Sequence, residues 1–597
     1  MYKDIRNIAI IAHVDHGKTT LVDALLKQSG LFRDNEDTEE RMMDSMDLER
    51  ERGITIAAKN ASFIYKDTKV NIVDTPGHAD FGGEVERILN MVDGAIILVD
   101  ASEGPLPQTR FVLSKALEQD IKVIVVVNKI DRPDRRIDDV NDEIFSLFID
   151  LATDDAQAEY DTLYAVGRDG YAVLDPNDKG EDLKILFDWI LEKLPAPKVQ
   201  QEEPFQMLIS NLGYSEFVGR LAIGRIQRGS LKVGQDVMCL KANDQKKKAK
   251  IRAIFAYSGM QQVPVEEAHA GDIVVIAGID EISIGDTVCD PEAAEALPRI
   301  SVEEPTVSMI FSVNDGPFAG LEGDHVTSRK ILERLEKETL HNVAIRIAPT
   351  ESPESFKVMG RGELQLAVLI EQMRREGFEL LVSKPQVVTK TIDGELHEPM
   401  ELVTVDVPEE FVGVVTEKLG TRKGIMQDMQ NLGERSRVQF LIPSRGLIGY
   451  RSEFLTDTRG NGLMSAEFQG FKPFAGEISH RRTGSLVADR KGKTTTYALF
   501  NLEDRGRLFI TPGVDVYEGM VIGENAKEND LIVNAIREKK LTNVRASGSD
   551  EKQYLAPVKP LTLEYAMEWI SDNELVEVTP KNIRIRCKEL DPHKRKK

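Results

Sequence analysis

Nowhere in the 597 residues is there an unbroken apolar run of the roughly 18 residues that a membrane-crossing helix needs, so no span is expected. Cysteine is scarce. Cys239, Cys289 and Cys587 stand far apart with no Cys-x-x-Cys, which argues against a disulfide framework and against a zinc site. No Ser/His/Asp triad, His/Cys cluster, solenoid repeat or low-complexity tract is visible. The first apolar strand is under way by Ile5, so no secretory leader is expected, and a reducing cytoplasm is the expected compartment. Positive charge is in deficit: 77 Lys and Arg against 100 Asp and Glu give a net charge of −23, which argues against a protein that coats nucleic acid indiscriminately. The deficit is uneven, since Gly484 to Lys597 holds 20 basic and 18 acidic residues. A near-neutral C-terminal region on an acidic body suits a protein that meets RNA only at chosen places.

What the sequence does contain is ordered. An apolar run, Ile5 to Ile11, enters Ala12-His13-Val14-Asp15-His16-Gly17-Lys18-Thr19-Thr20, and an amphipathic segment follows with Leu21, Val22, Leu25 and Leu26 on one face and Gly30 at its expected C-cap. Strand, tight loop and helix N-terminus in that order form an anion site, with backbone N–H groups around a phosphate. Asp15, His16, Gly17 and Thr20 belong to that loop, Lys18 would reach the β- and γ-phosphates, and the Thr19 hydroxyl would ligate Mg²⁺. The first glycine of the P-loop pattern is Ala12 here, so the turn there must tolerate a Cβ.

A charged stretch, Asp34 to Arg52, leads to Arg52-Gly53-Ile54-Thr55-Ile56. A hairpin is expected next, Ala57 to Tyr65 and Lys69 to Asp74, running into Asp74-Thr75-Pro76-Gly77-His78. Asp74 would hold the metal shell, the Gly77 N–H would touch the γ-phosphate, and Thr55 would add a second hydroxyl to the metal. Both loops would relax once that phosphate is lost. Two buried strands, Gly94 to Asp100 and Lys122 to Asn128, predict a mostly parallel sheet covered on both faces, with each polar motif at a strand's carboxyl end. The second runs into Asn128-Lys129-Ile130-Asp131. A carboxylate only accepts hydrogen bonds. Asp131 would therefore pair with the N1–H and 2-amino donors of guanine and face an unpaired edge with adenine, a mismatch able to discriminate by roughly 10⁴-fold. Asn128 and Lys129 would brace the loop and pack the base plane.

Beyond Leu194-Pro195-Ala196-Pro197, short strands with glycine turns (Phe205 to Ser210, Arg220 to Ile226, Asp272 to Ile279) predict a small β-barrel, with Lys246 to Lys250 an exposed loop. Two α+β modules follow. The first has helices at Ser328 to Leu340 and Gly362 to Gly377; the second has a strand at Glu401 to Val407 and a helix near Val412 to Leu419. The last region is expected to hold strands at Thr496 to Phe500 and Asn582 to Arg586 and a helix at Thr562 to Ile570.

AHVDHGKTT, RGITI, DTPGH and NKID in this order resemble the motif set of the translational GTPases, such as elongation factors Tu and G. GRIQRGSLKVGQ (Gly224 to Gln235) and AGDIVVIAG (Ala270 to Gly278) resemble the second, β-barrel domain of such factors. GRGELQLAVLIEQMRREGFEL (Gly360 to Leu380) and IPSRGLIGYRSEF (Ile442 to Phe454) resemble the third and fifth domains of elongation factor G. The insert between those domains in elongation factor G is absent. KKLTNVRASGSDE (Lys539 to Glu551) and the region around it are similar to the BipA (TypA) family.

The resemblance implies a multidomain α/β plus β plus α+β protein: a P-loop GTP-binding domain (1–198), a β-barrel (199–300), two ferredoxin-like α+β modules (301–388 and 389–483) and a distinct C-terminal domain (484–597). It implies a GTP hydrolase that binds GTP and GDP with Mg²⁺, and a monovalent cation near Asp15. By it His78 would orient the attacking water, Val14 and Ile54 would screen that histidine, and Ala165-Val166 would supply the guanine loop, where relatives carry Ser-Ala-Lys or Ser-Ala-Leu. The implied partners are the ribosome, through rRNA and ribosomal proteins, and the acceptor end of tRNA, approached by Lys539, Lys540, Arg545 and Lys552. No membrane partner is expected, and the chain would be a monomer off the ribosome. The implied role is translation regulation or ribosome assembly under stress. The alternatives are a LepA-like elongation or back-translocation factor and a GTP-gated assembly chaperone in which hydrolysis only resets binding.

Overall fold

A computed structural model describes residues 4–13, 15–30, 47–52, 59–75, 82–242, 245–300, 304–342, 344–431, 435–478, 481, 483–538 and 555–595. The chain divides into two units: residues 1–303 with 340–344, and residues 304–339 with 345–597.

The first unit opens with a seven-stranded sheet built from β1 (Asp4–Ala12), β2 (Lys59–Tyr65), β3 (Thr68–Asp74), β4 (Gly94–Asp100), β5 (Lys122–Asn128), β6 (Asp161–Val166) and β7 (Tyr171–Val173). Its spatial order is β2-β3-β1-β4-β5-β6-β7. The five central strands are parallel, and β2 and β7 are antiparallel edges. Their apolar runs need cover on both faces. Helices α1 (Lys18–Gln28) and α7 (Lys184–Lys193) pack on one face around Ile10, Leu25, Ile72 and Phe187. On the other face, α3 (Gly82–Leu89), α4 (Pro107–Glu118) and α5 (Ile137–Leu151) pack around Ile97, Leu113, Val125 and Ile144. Helices α2 (Asp47–Arg52) and α6 (Asp155–Ala158) are short connectors. The β2–β3 hairpin turns through Lys66 and Asp67, both at positive φ (47° and 64°), as a two-residue turn matched to strand twist requires.

An eight-stranded antiparallel sheet follows, enclosing Ile209, Val237, Val274 and Ile276. Its strand Lys246–Lys250 corrects the expectation of a loop: all five residues pair with Asp236–Leu240. The strand lies at the sheet's edge, where lysines hinder further strand addition. A buried polar seam joins this sheet to the first one. Lys69 Nζ contacts both carboxylate oxygens of Asp272 at 2.8 and 2.7 Å, and Asn71 Nδ2 donates to the same carboxylate at 3.1 Å. Asn7 Nδ2 donates to Gly271 O at 2.9 Å. Ser62 and Gly259 exchange backbone hydrogen bonds at 2.9 and 2.8 Å.

In the second unit, Val307–Val313, Arg346–Pro349, Ser355–Gly360, Leu380–Val382 and Gln386–Val387 form one end of an eleven-stranded sheet whose other strands lie beyond residue 484. The seam is the antiparallel pairing of Leu380–Val382 with Glu574–Val578. A separate five-stranded sheet is centred on Glu395–Pro408, with helices Val412–Thr421 and Tyr450–Asp457. Thr496–Leu502 is a helix, which corrects the expected strand at Thr496 to Phe500. The Thr495 hydroxyl accepts from Ala498 N at 3.1 Å as its N-cap, and Ala498, Leu499 and Leu502 form its buried face.

Among the described residues no helix is long and apolar enough to cross a membrane, and no group of three or more His, Cys, Asp or Glu could hold a metal ion. The three cysteines are free and buried.

Candidate functional site

The carboxyl ends of β1, β3, β4, β5 and β6 lie side by side in the parallel sheet, so the loops that leave them converge on one rim. After β1 the chain takes up positive φ at Asp15 (66°) and Gly17 (91°) before α1 starts. The Gly17 position admits no other residue without rearrangement, because a Cβ there would sit 2.5 Å from Asn128 Nδ2. Gly17 caps α1 without a side-chain hydrogen bond, so the first-turn N–H groups face the loop. Lys18, in that first turn, is buried; its ammonium lies 2.9 Å from Asp74 Oδ1 at the end of β3 and also donates to the Thr75 carbonyl. The Thr75 hydroxyl donates to Ile10 O at 2.8 Å, tying that loop to β1. Thr19 is half-buried and Thr20 exposed on the same turn.

Asn128 clamps two loops together. Its Nδ2 donates to His16 O at 2.9 Å, and its Oδ1 accepts from Gly167 N at 2.9 Å. Lys129, at φ 62°, sends its ammonium to the Asp15 carbonyl and to Asp100 Oδ2, the latter at 2.8 Å. Ile130 is buried, whereas the Asp131 side chain is one-third exposed, with Arg168 Nη2 3.3 Å from its Oδ2. Asp15, His16, Gly17, Lys18, Thr19, Thr20, Asp74, Asn128, Lys129, Ile130 and Asp131 thus fall on this rim. Ala165 and Val166 are there too, as the last two residues of β6. Val14, Ile54, Thr55, Gly77, His78, Lys539, Lys540, Arg545 and Lys552 lie outside the described residues.

Two acidic residues that the sequence did not single out belong to the rim. Asp100, fully buried at the end of β4, accepts from the Ser102 amide and hydroxyl at 2.7 Å each and pairs with Lys129 and, at 3.4 Å, with Arg132. Burial by itself would raise its pKa, but the Lys129 ammonium and the Ser102 donors outweigh it and hold the carboxyl at about 2. Its signal in the sequence was a lone aspartate ending an apolar strand; only the folded sheet sets it in register with Asn128. Glu103 lies 3.5 Å from Nε2 of the buried His16, and that imidazole lowers its pKa.

Residues 3–282 match the Elongation factor Tu GTP binding domain, 395–482 the Elongation factor G C-terminus and 483–592 the TypA/BipA C-terminal domain. A curated relative from Escherichia coli (strain K12), the large ribosomal subunit assembly factor BipA, is 52% identical over 599 residues, covering 100% of this chain and 99% of its own. The chain belongs to the BipA family. The BipA of Bacillus subtilis (strain 168) is 51% identical and that of Haemophilus influenzae 52%, each over 100% of this chain and 97% of its own. A solved protein from Thermus thermophilus shares the fold with a TM-score of 0.55 and 18% identity, over 79% of this chain and 97% of its own. As a member of the BipA family with this nucleotide domain, the chain is a translational GTPase, which binds GTP and GDP and hydrolyses GTP.

Proposed function

We propose that the β1–β6 rim is the GTPase centre, and that GTP binding there admits the protein to the large ribosomal subunit, or to the ribosome it forms, with hydrolysis ending the stay. The observation that carries the reading is the Asn128 amide, which joins the phosphate loop at His16 to the base loop at Gly167. A single side chain thereby fixes the distance between the two ends of a nucleotide. The name that the relatives carry, large ribosomal subunit assembly factor, supports the partner.

In this reading Lys18 and the α1 N-terminus hold the β- and γ-phosphates. Asp131 accepts from guanine, while Asn128 and Lys129 brace the loop, and the Ala165-Val166 strand end leads into the turn beside the base. The Lys18–Asp74 contact fits a metal–phosphate site, because a bound metal would take the carboxylate and a bound phosphate the ammonium. Thr19, Thr55 and Asp74 would hold Mg²⁺, which when bound offsets the charge that develops on the phosphoryl oxygens. The chain's own part is positioning: Gly77 N–H toward the last phosphate, and His78, screened by Val14 and Ile54, orienting the water. A monovalent cation beside Asp15, and contact of Lys539, Lys540, Arg545 and Lys552 with rRNA or a tRNA acceptor end, belong to the same proposal.

Calorimetry with GTP and ATP, and co-sedimentation with ribosomes and large subunits in GTP, GDP and a non-hydrolysable analogue, test it. GTP selectivity and particle binding that follows the third phosphate are expected. His78→Ala should keep nucleotide affinity and lose ribosome-stimulated turnover. Equal affinity for ATP and GTP would overturn the reading.

A further inference from the structure

One arginine uses the atoms that the proposed base recognition needs. Arg168 leaves the end of β6 in a tight turn, with Gly167 N bonded to Asn128 Oδ1 at 2.9 Å and Gly170 N to Val166 O at 2.9 Å. Its Nη2 lies 3.3 Å from Asp131 Oδ2 and its Nε 3.1 Å from Asp169 Oδ1. The Arg168 side chain is 75% exposed. It is therefore held by two carboxylates rather than by packing, and it can leave one while keeping the other.

A guanidinium presents parallel N–H donors in one plane, and a carboxylate accepts such a pair in bidentate fashion. The N1–H and 2-amino edge of guanine is the same N–C–N fragment with the same two donors. In the structure the guanidinium meets Asp131 through one nitrogen and one oxygen, its Nε being turned to Asp169, so an incoming base edge competes with the arginine for Oδ2. We propose that Arg168 is an internal competitor for Asp131 Oδ2, which guanine must displace, and that it thereby lowers affinity for guanine nucleotides. The inference rests on the assignment of Asp131 as the base reader above.

The contact is exposed, so the effect is modest and sensitive to salt. A site whose competent state is only partly populated binds more weakly by that fraction, here about two- to five-fold. Titration of wild type and Arg168→Ala with a fluorescent GDP analogue at low and high salt tests it. The variant should bind GDP about two- to five-fold more tightly at low salt, and the difference should shrink as salt screens the pair. Arg168→Lys, which keeps the charge but loses the planar fork, should fall between the two. Unchanged or weaker GDP binding by Arg168→Ala at low salt overturns the competition. Asp131→Ala, measured alongside, separates the two readings: if it leaves the preference for GDP over ADP intact, the base-recognition reading itself fails.

Discussion

Asp100 shows how a single carboxylate can set a neighbouring motif. The ammonium of Lys129 is held between Asp100 and the Asp15 carbonyl, so the lysine proposed to brace the base is itself braced from behind. The Asp100 carboxyl is held at about 2, against an ordinary value of about 3.9, so its charged form favours the folded state by about 2 kcal/mol. Because the folded value is the lower one, that stabilisation is complete above about pH 4 and is lost as pH falls toward 2. Asp100→Asn should therefore destabilise the protein by about 2 kcal/mol at pH 7, and the gap from wild type in urea unfolding should close as pH falls from 4 to 2. Guanine nucleotide affinity should fall in the same variant. Gly17→Ala should abolish nucleotide binding in a filter assay, since the positive φ and the Asn128 amide both oppose a Cβ. At this scale the sequence was most readable where chemistry sits in a contiguous string. Lys18, Asp74, Asn128 and Asp131 each end or follow a strand within a recognisable motif. Asp100 lies in no such string; its contact with Lys129 comes from strands that are neighbours only in the folded sheet.

Whole elements were readable where period and capping agree. The helices Lys18–Gln28 and Leu563–Trp569 and the strands Gly94–Asp100 and Lys122–Asn128 follow directly from their apolar patterns. Two elements did not. Lys246–Lys250 has the composition of a solvated loop, yet it pairs along its whole length, with Ala249 opposite buried Val237. Around Thr496 a β-branched run looks like a strand, but Thr495 turns it into a helix by capping the first turn. Thr495→Ala should cost about 1 kcal/mol in chemical denaturation, the ordinary value of a lost cap. Buried strands also quiet the thiols. Burial, with the nearby Asp286 carboxylate, pushes Cys239 up to about 12, and burial pushes Cys587 up to about 11. A maleimide at pH 8 should therefore leave the native protein unlabelled at both and react once it is unfolded.

At the scale of the whole molecule, the polar seam of the first unit is its most exacting feature. Lys69 and Asp272 are both almost wholly buried, and each is the other's counter-charge. Breaking a buried ion pair by removing one partner is costly, so Asp272→Ala should lose about 3 kcal/mol of stability, measured by urea unfolding. A Lys69→Met/Asp272→Leu double variant should recover much of it. Nothing in the sequence marked this pair, because Lys69 looks like any lysine at the start of a strand and Asp272 lies two hundred residues away. The eleven-stranded sheet was hidden for the same reason.

That sheet bears on how the chain is made. Leu380–Val382 is three buried apolar residues whose outer neighbour, Glu574–Val578, is translated almost two hundred residues later. At about 5–20 residues per second, the emerging polypeptide carries a sticky, half-paired margin for roughly ten to forty seconds. Premature termination shortly before residue 574 would make that interval permanent, and such fragments are expected in the insoluble fraction while the finished product stays in solution.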